Sequence, residues 1–476
     1  MLGRAAWNAD GMATTDDPVT LLILGASGDL TQRLLLPGLG SLLHIEPDRK
    51  VELFGVGRTG LDDAEWHRRI RTAFQETGVT KRRTDQVVKS ARWLTADATQ
   101  GDHLKWLLEQ CSDGPVVIYF ALPPAVSIKI CALLEKLDVP ADLRLALEKP
   151  FGEDEKSARA LNAQLHRVVA EDQIFRIDHF MGTATVLNLV GLRFANRVMG
   201  PIWSSEHIER VEILYDEALA LEGRAGYYDT AGALRDMLQS HLLQVMSIFA
   251  MEPIAQLHPQ ELADLKAQVL RATHLWQDSP KRATRRARYT AGTLDGKKIP
   301  SYVDEDGVDP KNGTETLAQV KLEVRNSRWA GVPITLRSGK ALGAARKQIV
   351  CYFRPVDHVP EGFNGDAQAD RLVINLKPGA VSLELTMNAE GDPLGLEQKV
   401  LNADLTAARM QAYGEVLRDI LDGNPLLSVR ADAAELGWHI MDPVLKAWAK
   451  DRVPLEDYAA GSAGPENWLP SDSVIG

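Results

Sequence analysis

The chain has 476 residues, 45% of them hydrophobic and 25% charged, with a formal net charge of −11. That length exceeds what one ordinary core organises, so two domains are expected. The acidic balance excludes nucleic-acid backbone binding as the main task, because that needs a basic footprint.

Residues 1–17 are polar and lack the apolar core of a signal peptide, so they are expected to form a disordered tail. Apolar runs at 19–24, 51–56, 116–121 and 143–147 read as short buried strands. Helical patterns lie between them, at 30–43, 62–76 and 127–137. Strands alternating with helices predict a doubly wound parallel (Rossmann-like) sheet over 18–178, which binds its ligand beyond the carboxyl ends of the strands. From about Ile208 the texture changes. Alternating apolar and polar residues at 211–215, 320–324, 349–353, 372–376 and 381–385 predict half-buried strands. Helical patterns fall at 232–249, 403–421 and 431–448. Residues 179–476 are therefore expected to form a second domain with a large, mostly antiparallel sheet and helices, for substrate binding and oligomerisation. No run reaches the roughly 20 apolar residues of a membrane span. Cys111, Cys131 and Cys351 lack metal-ligand or paired spacing and suit a reducing cytoplasm as buried thiols.

The first strand runs into Gly25-Ala26-Ser27-Gly28-Asp29-Leu30, which opens a helix. Glycines there allow positive φ and close backbone approach, and a helix N-terminus presents N–H groups to a pyrophosphate. Asp29 suits a turn or capping hydrogen bond better than a phosphate contact, since two anions repel. The second strand ends in Gly55-Val56-Gly57-Arg58-Thr59, with Arg58 where an NAD site places an acid. That choice favours NADP, whose 2′-phosphate an arginine accommodates, with NAD as a second possibility. Ala121 and Pro123 end the third strand. Lys149, within Glu148-Lys149-Pro150-Phe151-Gly152, ends the fourth in an extended conformation that aims its ammonium at a ligand. Arg176-Ile177-Asp178-His179-Phe180-Met181-Gly182 then sets a carboxylate beside an imidazole.

These segments resemble the glucose-6-phosphate dehydrogenase family, from about Leu21 to Leu342. So do Arg235-Asp236-Met237-Leu238-Gln239-Ser240-His241 and Leu336-Arg337-Ser338-Gly339-Lys340. The resemblance implies hydride transfer from C1 of a sugar phosphate to NADP. His241 is then the base and Asp178 its orienting partner. Lys149, Glu217, Asp236 and Lys340 hold the sugar, and His179 the 6-phosphate. Gly25, Ser27, Gly28, Asp29, Leu30, Arg58, Ala121, Pro123 and Lys149 line the cofactor, and no metal is implied. A histidine titrating near neutrality, with its second nitrogen held by a carboxylate, is suited to removing a hydroxyl proton.

Two residues depart from the family's pattern, in which tyrosine follows the Asp-His pair and a lysine follows the glycine. Here those positions are Phe180 and Thr183. Either Arg346, Lys347 or Arg193 supplies the missing charge, or the substrate is an unphosphorylated or C6-sulfonated hexose. The motifs are also compatible with a broader group of two-domain sugar oxidoreductases and with a non-catalytic NADP-binding sensor. A soluble cytoplasmic homodimer or homotetramer is expected, because an exposed sheet face is most readily covered by a second copy.

Overall fold

The computed structural model describes residues 18–58, 60–221, 223–405, 408–466 and 468. The expected tail at 1–17 and Thr59 lie outside the described residues. The chain divides into two compact units. The first runs to Phe151 and adds Ala160–Ile177 and Arg409–Ser428; the second comprises Gly152–Arg159, Asp178–Ala408 and the stretch from Val429.

In the first unit, β1 (Val19–Leu24), β2 (Val51–Gly57), β3 (Arg92–Thr95), β4 (Val116–Phe120), β5 (Leu143–Glu148) and β6 (Ile174–Ile177) form a parallel sheet ordered β3-β2-β1-β4-β5-β6. Leu21 of β1 lies opposite Leu53 on one side and Val117 on the other. The strand order reverses on either side of β1, and such a switch point is where doubly wound sheets bind nucleotides. The strands are buried on both faces, which explains their continuous apolar runs. Two strands were not expected. Arg92–Thr95 is too short to stand out, and Ile174–Ile177 carries a charge in its middle. That charge, Arg176, is fully buried, with Nη1 donating to Glu171 at 2.8 Å and Nε to Asn162 at 3.0 Å.

The helix Ala412–Asp422 also belongs to this unit, although the sequence pattern places it in the second domain. Its spacing gives the reason. Tyr413, Val416, Leu417, Ile420 and Leu421 recur at helical intervals and join Leu21, Ile23 and Val117 in one core. Burial of each aliphatic member contributes roughly 1.5–3 kcal/mol. Gly423, at φ +68°, ends the helix.

The second unit is built on β7 (Ile208–Asp216), β8 (Thr273–Leu275), β9 (Thr284–Thr290), β10 (Gly292–Leu294), β11 (Lys297–Ile299), β12 (Leu317–Val324), β13 (Ile334–Gly339), β14 (Arg346–Phe353), β15 (Arg371–Leu376), β16 (Gly379–Ala389), β17 (Asp392–Asp404) and β18 (Leu455–Ala459). β10 and β11 pair separately. The other ten make one sheet, ordered β17-β16-β15-β14-β7-β13-β12-β9-β18 with β8 paired to β12. The pairing is antiparallel except for β7 with β13 and β9 with β18. The helix expected over 403–421 starts later than its pattern suggests: Ala403 and Asp404 still pair in β17, and the helix begins at Ala412.

Candidate active site

In the first unit the expected cofactor residues all follow carboxyl ends of strands. Gly25, at φ +83°, turns the chain after β1, and a Cβ there would sit 2.4 Å from the carbonyl oxygen of Ala121. Its glycine is required by the close approach of the chain just after β4. Gly28 is different: a Cβ would meet only the Gly25 carbonyl oxygen, at 3.4 Å, and Ser27, Gly28 and Asp29 are exposed. That open turn fits a pyrophosphate approaching backbone N–H groups. The Asp29 carboxylate lies 4.0 Å from Arg33, both side chains being largely exposed. Arg58 is exposed just past β2. The two glycines before it serve packing, since Cβ atoms at Gly55 and Gly57 would lie 2.9 and 2.7 Å from the Trp93 ring. Beside Lys149, the Glu148 carboxylate accepts from Tyr119 Oη at 2.5 Å and from Tyr413 Oη at 3.1 Å, which fixes the end of β5.

In the second unit, Asp178 follows β6 and His241 lies in a helical run that begins abruptly at Gly232. Gly232 has φ +66° and ψ 171°, a conformation open essentially to glycine alone. A Cβ there would meet the Glu315 carboxylate at 2.5 Å. Glu315 accepts from the Leu234 N–H at 2.9 Å and so holds the start of the next segment. From Leu234 to Leu242 the backbone is a π-helix, a wound-out form frequent at functional sites. Sequence periodicity over 232–249 reads as one ordinary helix, and nothing in it signals either the π form or the part played by Glu315.

That segment brings His241 Nδ1 to 2.5 Å from Asp178 Oδ1, with His241 2% and Asp178 1% exposed. The same carboxylate oxygen accepts from the Phe180 N–H at 3.0 Å. An ionised carboxylate only accepts, so Nδ1 donates to it, and in the neutral imidazole Nε2 then keeps its lone pair. The Phe180 ring stacks on the His241 ring, with centroids 4.2 Å apart and planes 13° from parallel. The His179 ring meets His241 edge-on at 4.9 Å. Asp236 is half-buried on the same π-helix, near Tyr228, whose phenol is pushed well above its ordinary range by burial and then by Asp236.

Glu217 and Lys340 follow the adjacent parallel strands β7 and β13 and form an ion pair. Lys347 on β14 adds a second ammonium, 3.5 Å from Glu217 and 4.6 Å from the centre of the Tyr215 ring, which lies 4.9 Å from that of Phe180. Of the three candidate replacement cations, two are committed elsewhere. Arg193 is buried and donates to the carbonyls of Ile248 and Met251, both at 2.6 Å. Arg346 pairs at 2.7 Å with Asp216, a fully buried carboxylate that also holds Arg337. Thr183 turns its hydroxyl to the Phe180 carbonyl at 2.6 Å.

Residues 22–188 match the sequence profile of the glucose-6-phosphate dehydrogenase NAD-binding domain, and residues 190–470 match that of the C-terminal domain. The chain belongs to the glucose-6-phosphate dehydrogenase family. It is 37% identical to glucose-6-phosphate 1-dehydrogenase of Gluconobacter oxydans, covering 94% of this chain and 95% of that one. The solved enzyme of Mycobacterium avium is 31% identical with a TM-score of 0.83, covering 94% and 95%. A glucose-6-phosphate dehydrogenase in complex with its substrate glucose-6-phosphate is 29% identical with a TM-score of 0.85, covering 96% and 97%. The family's two-domain plan accounts for the parallel sheet and the large mixed sheet alike. At the two positions expected to depart from the family's pattern, this chain sets the Phe180 ring on His241 and turns the Thr183 hydroxyl to the Phe180 carbonyl.

Proposed function

We propose that the protein is a glucose-6-phosphate 1-dehydrogenase. It oxidises C1 of glucose 6-phosphate with NADP and yields the 6-phosphogluconolactone, the first step of the oxidative pentose phosphate pathway. The observation that carries this reading is the buried Asp178–His241 pair in a chain of this family. His241 Nε2 takes the C1 hydroxyl proton, while Asp178 holds the tautomer and balances the imidazolium that forms. NADP, when bound, accepts the hydride. Arg58 meets its 2′-phosphate, and the open turn from Gly25 to Leu30 takes the pyrophosphate beside Ala121 and Pro123. Glu217, Asp236, Lys340 and Lys149 hold sugar hydroxyls, and His179 holds the 6-phosphate. Lys347 supplies the second charge there, being the candidate cation whose ammonium already reaches the Glu217–Lys340 pair. Phe180 keeps a ring stacked on His241, which needs no hydroxyl.

A homodimer or homotetramer fits the apolar exposure of Met387, Leu394, Val400 and Leu401 on β16 and β17. Residence in the cytoplasm fits three free thiols. Among the described residues no helix is long and apolar enough to cross a membrane.

The test is His241→Asn. It should keep the fold and NADP affinity and lower kcat by about 10²–10⁴-fold, with Asp178→Asn losing less. Retention of more than about a tenth of wild-type turnover would remove His241 from the mechanism. A greater loss in Asp178→Asn would mean that the two roles are reversed.

A further inference from the structure

The helix Asp63–Phe74 follows β2 and buries Trp66, Ile70 and Phe74 at helical intervals, and the Asp62 carboxylate caps it by accepting from the Glu65 N–H at 2.8 Å. Trp66 fixes the helix to the strand, since a Cβ at Gly55 would lie 2.9 Å from its indole. Arg69 stands beside that buried face, with its side chain 22% exposed. Its Nε donates to Glu65 at 3.1 Å, and its Nη1 donates to the carbonyl oxygen of Ser27, also at 3.1 Å. These bonds leave the two N–H groups of Nη2 for another acceptor. The helix after β2 thus reaches the turn after β1. Ser27 is exposed in that turn and stands on its β2 side: a Cβ at Gly57, the residue before Arg58, would lie 3.8 Å from Ser27 Oγ. Arg58, Ser27 and Arg69 are therefore gathered at the carboxyl end of β2.

We propose that Arg69 is a specificity-determining residue, a second guanidinium that selects the 2′-phosphate of NADP together with Arg58 and the Ser27 hydroxyl. This rests on the reading of NADP as the cofactor, with Arg58 at that phosphate. Doubly wound sheets read the ribose 2′ position at the end of the second strand, and the pyrophosphate at the helix N-terminus after the first. Arg69 approaches the turn from the β2 side, which assigns it to the 2′ position. A phosphate monoester carries close to two negative charges, and one guanidinium offsets only about one of them. Glu65 does not cancel the second guanidinium, because it is shared with Arg68 and two cations there face one carboxylate. NAD presents a neutral hydroxyl at the same place, so the added charge gains nothing on it and the two cofactors are told apart.

The experiment measures the dissociation constants of NADP and NAD by isothermal titration calorimetry in the wild type, Arg69→Met, Arg69→Lys and Arg58→Ala. Arg69→Met should weaken NADP by roughly tenfold to a hundredfold and leave NAD within about twofold. Arg69→Lys keeps the charge without the planar fork and should recover part of the loss. A guanidinium that only braces the turn would weaken both cofactors in parallel, because both carry the pyrophosphate. That outcome, or an unchanged affinity for NADP, overturns the proposal. Arg58→Ala separates it from the reading beneath. If Arg58→Ala weakens NADP alone while Arg69→Met does not, only the role of Arg69 falls. If neither variant distinguishes the cofactors, the 2′-phosphate is not read at the end of β2 and both fall. Competition by adenosine 2′,5′-bisphosphate and adenosine 5′-phosphate repeats the comparison without the nicotinamide half. Arg69→Met should weaken the bisphosphate and spare the monophosphate, and equal losses contradict the proposal.

Discussion

At the level of single residues, Phe180 and Thr183 separate two jobs. Stacking at 4.2 Å needs only a ring, so Phe180 keeps the His241 imidazole flat against its support. Thr183 cannot replace a lysine's charge, and its hydroxyl is spent on the Phe180 carbonyl. On the proposed function that charge falls to Lys347 instead. Lys347→Ala should therefore raise KM for glucose 6-phosphate by roughly tenfold to a hundredfold, equivalent to about 1.5–3 kcal/mol for a charge-assisted contact. Oxidation of unphosphorylated glucose should change little. Thr183→Lys should be neutral or slightly harmful to the same KM, because the anion already has its ammonium. A sharp fall in KM on Thr183→Lys would show a depleted phosphate site rather than a rebuilt one.

Among the elements, the His241 π-helix depends on how it is entered. Gly232 turns the chain where only glycine fits, against a carboxylate that holds the next N–H. Gly232→Ala should cost about 1–3 kcal/mol of stability from the backbone conformation and about 10²-fold in kcat from a displaced base. Urea unfolding and steady-state rates measure the two separately, and loss of stability with full turnover would detach this entry from the chemistry. Little of the element was readable beforehand. Its apolar spacing announces a helix, but a π-helix buries residues at similar intervals, and Glu315 is remote in sequence. Strands β1, β2, β4 and β5 were legible because burial on both faces leaves uninterrupted apolar runs. β6 was not, since Arg176 satisfies its charge internally and breaks the run.

For the molecule as a whole, the thiols report how tightly each unit is closed. Burial pushes Cys111 and Cys131 up to about 12, and Cys351 higher still. Cys131 and Cys351 are fully buried, whereas Cys111 is partly open. At mildly alkaline pH a thiol reagent should modify Cys111 slowly, and Cys131 and Cys351 only after unfolding, because the thiolate is the reacting form. Rapid labelling of all three in the native protein would mean that both units open readily.

Oxidation of a sugar phosphate by NADP through His241 is open to test in the wild type, before any variant is made. The measurement is kcat/KM for glucose 6-phosphate and for glucose, each with NADP. Charge-assisted contacts to the phosphate predict a preference for glucose 6-phosphate of more than about tenfold. A value for glucose equal to or above that for glucose 6-phosphate would contradict the assignment.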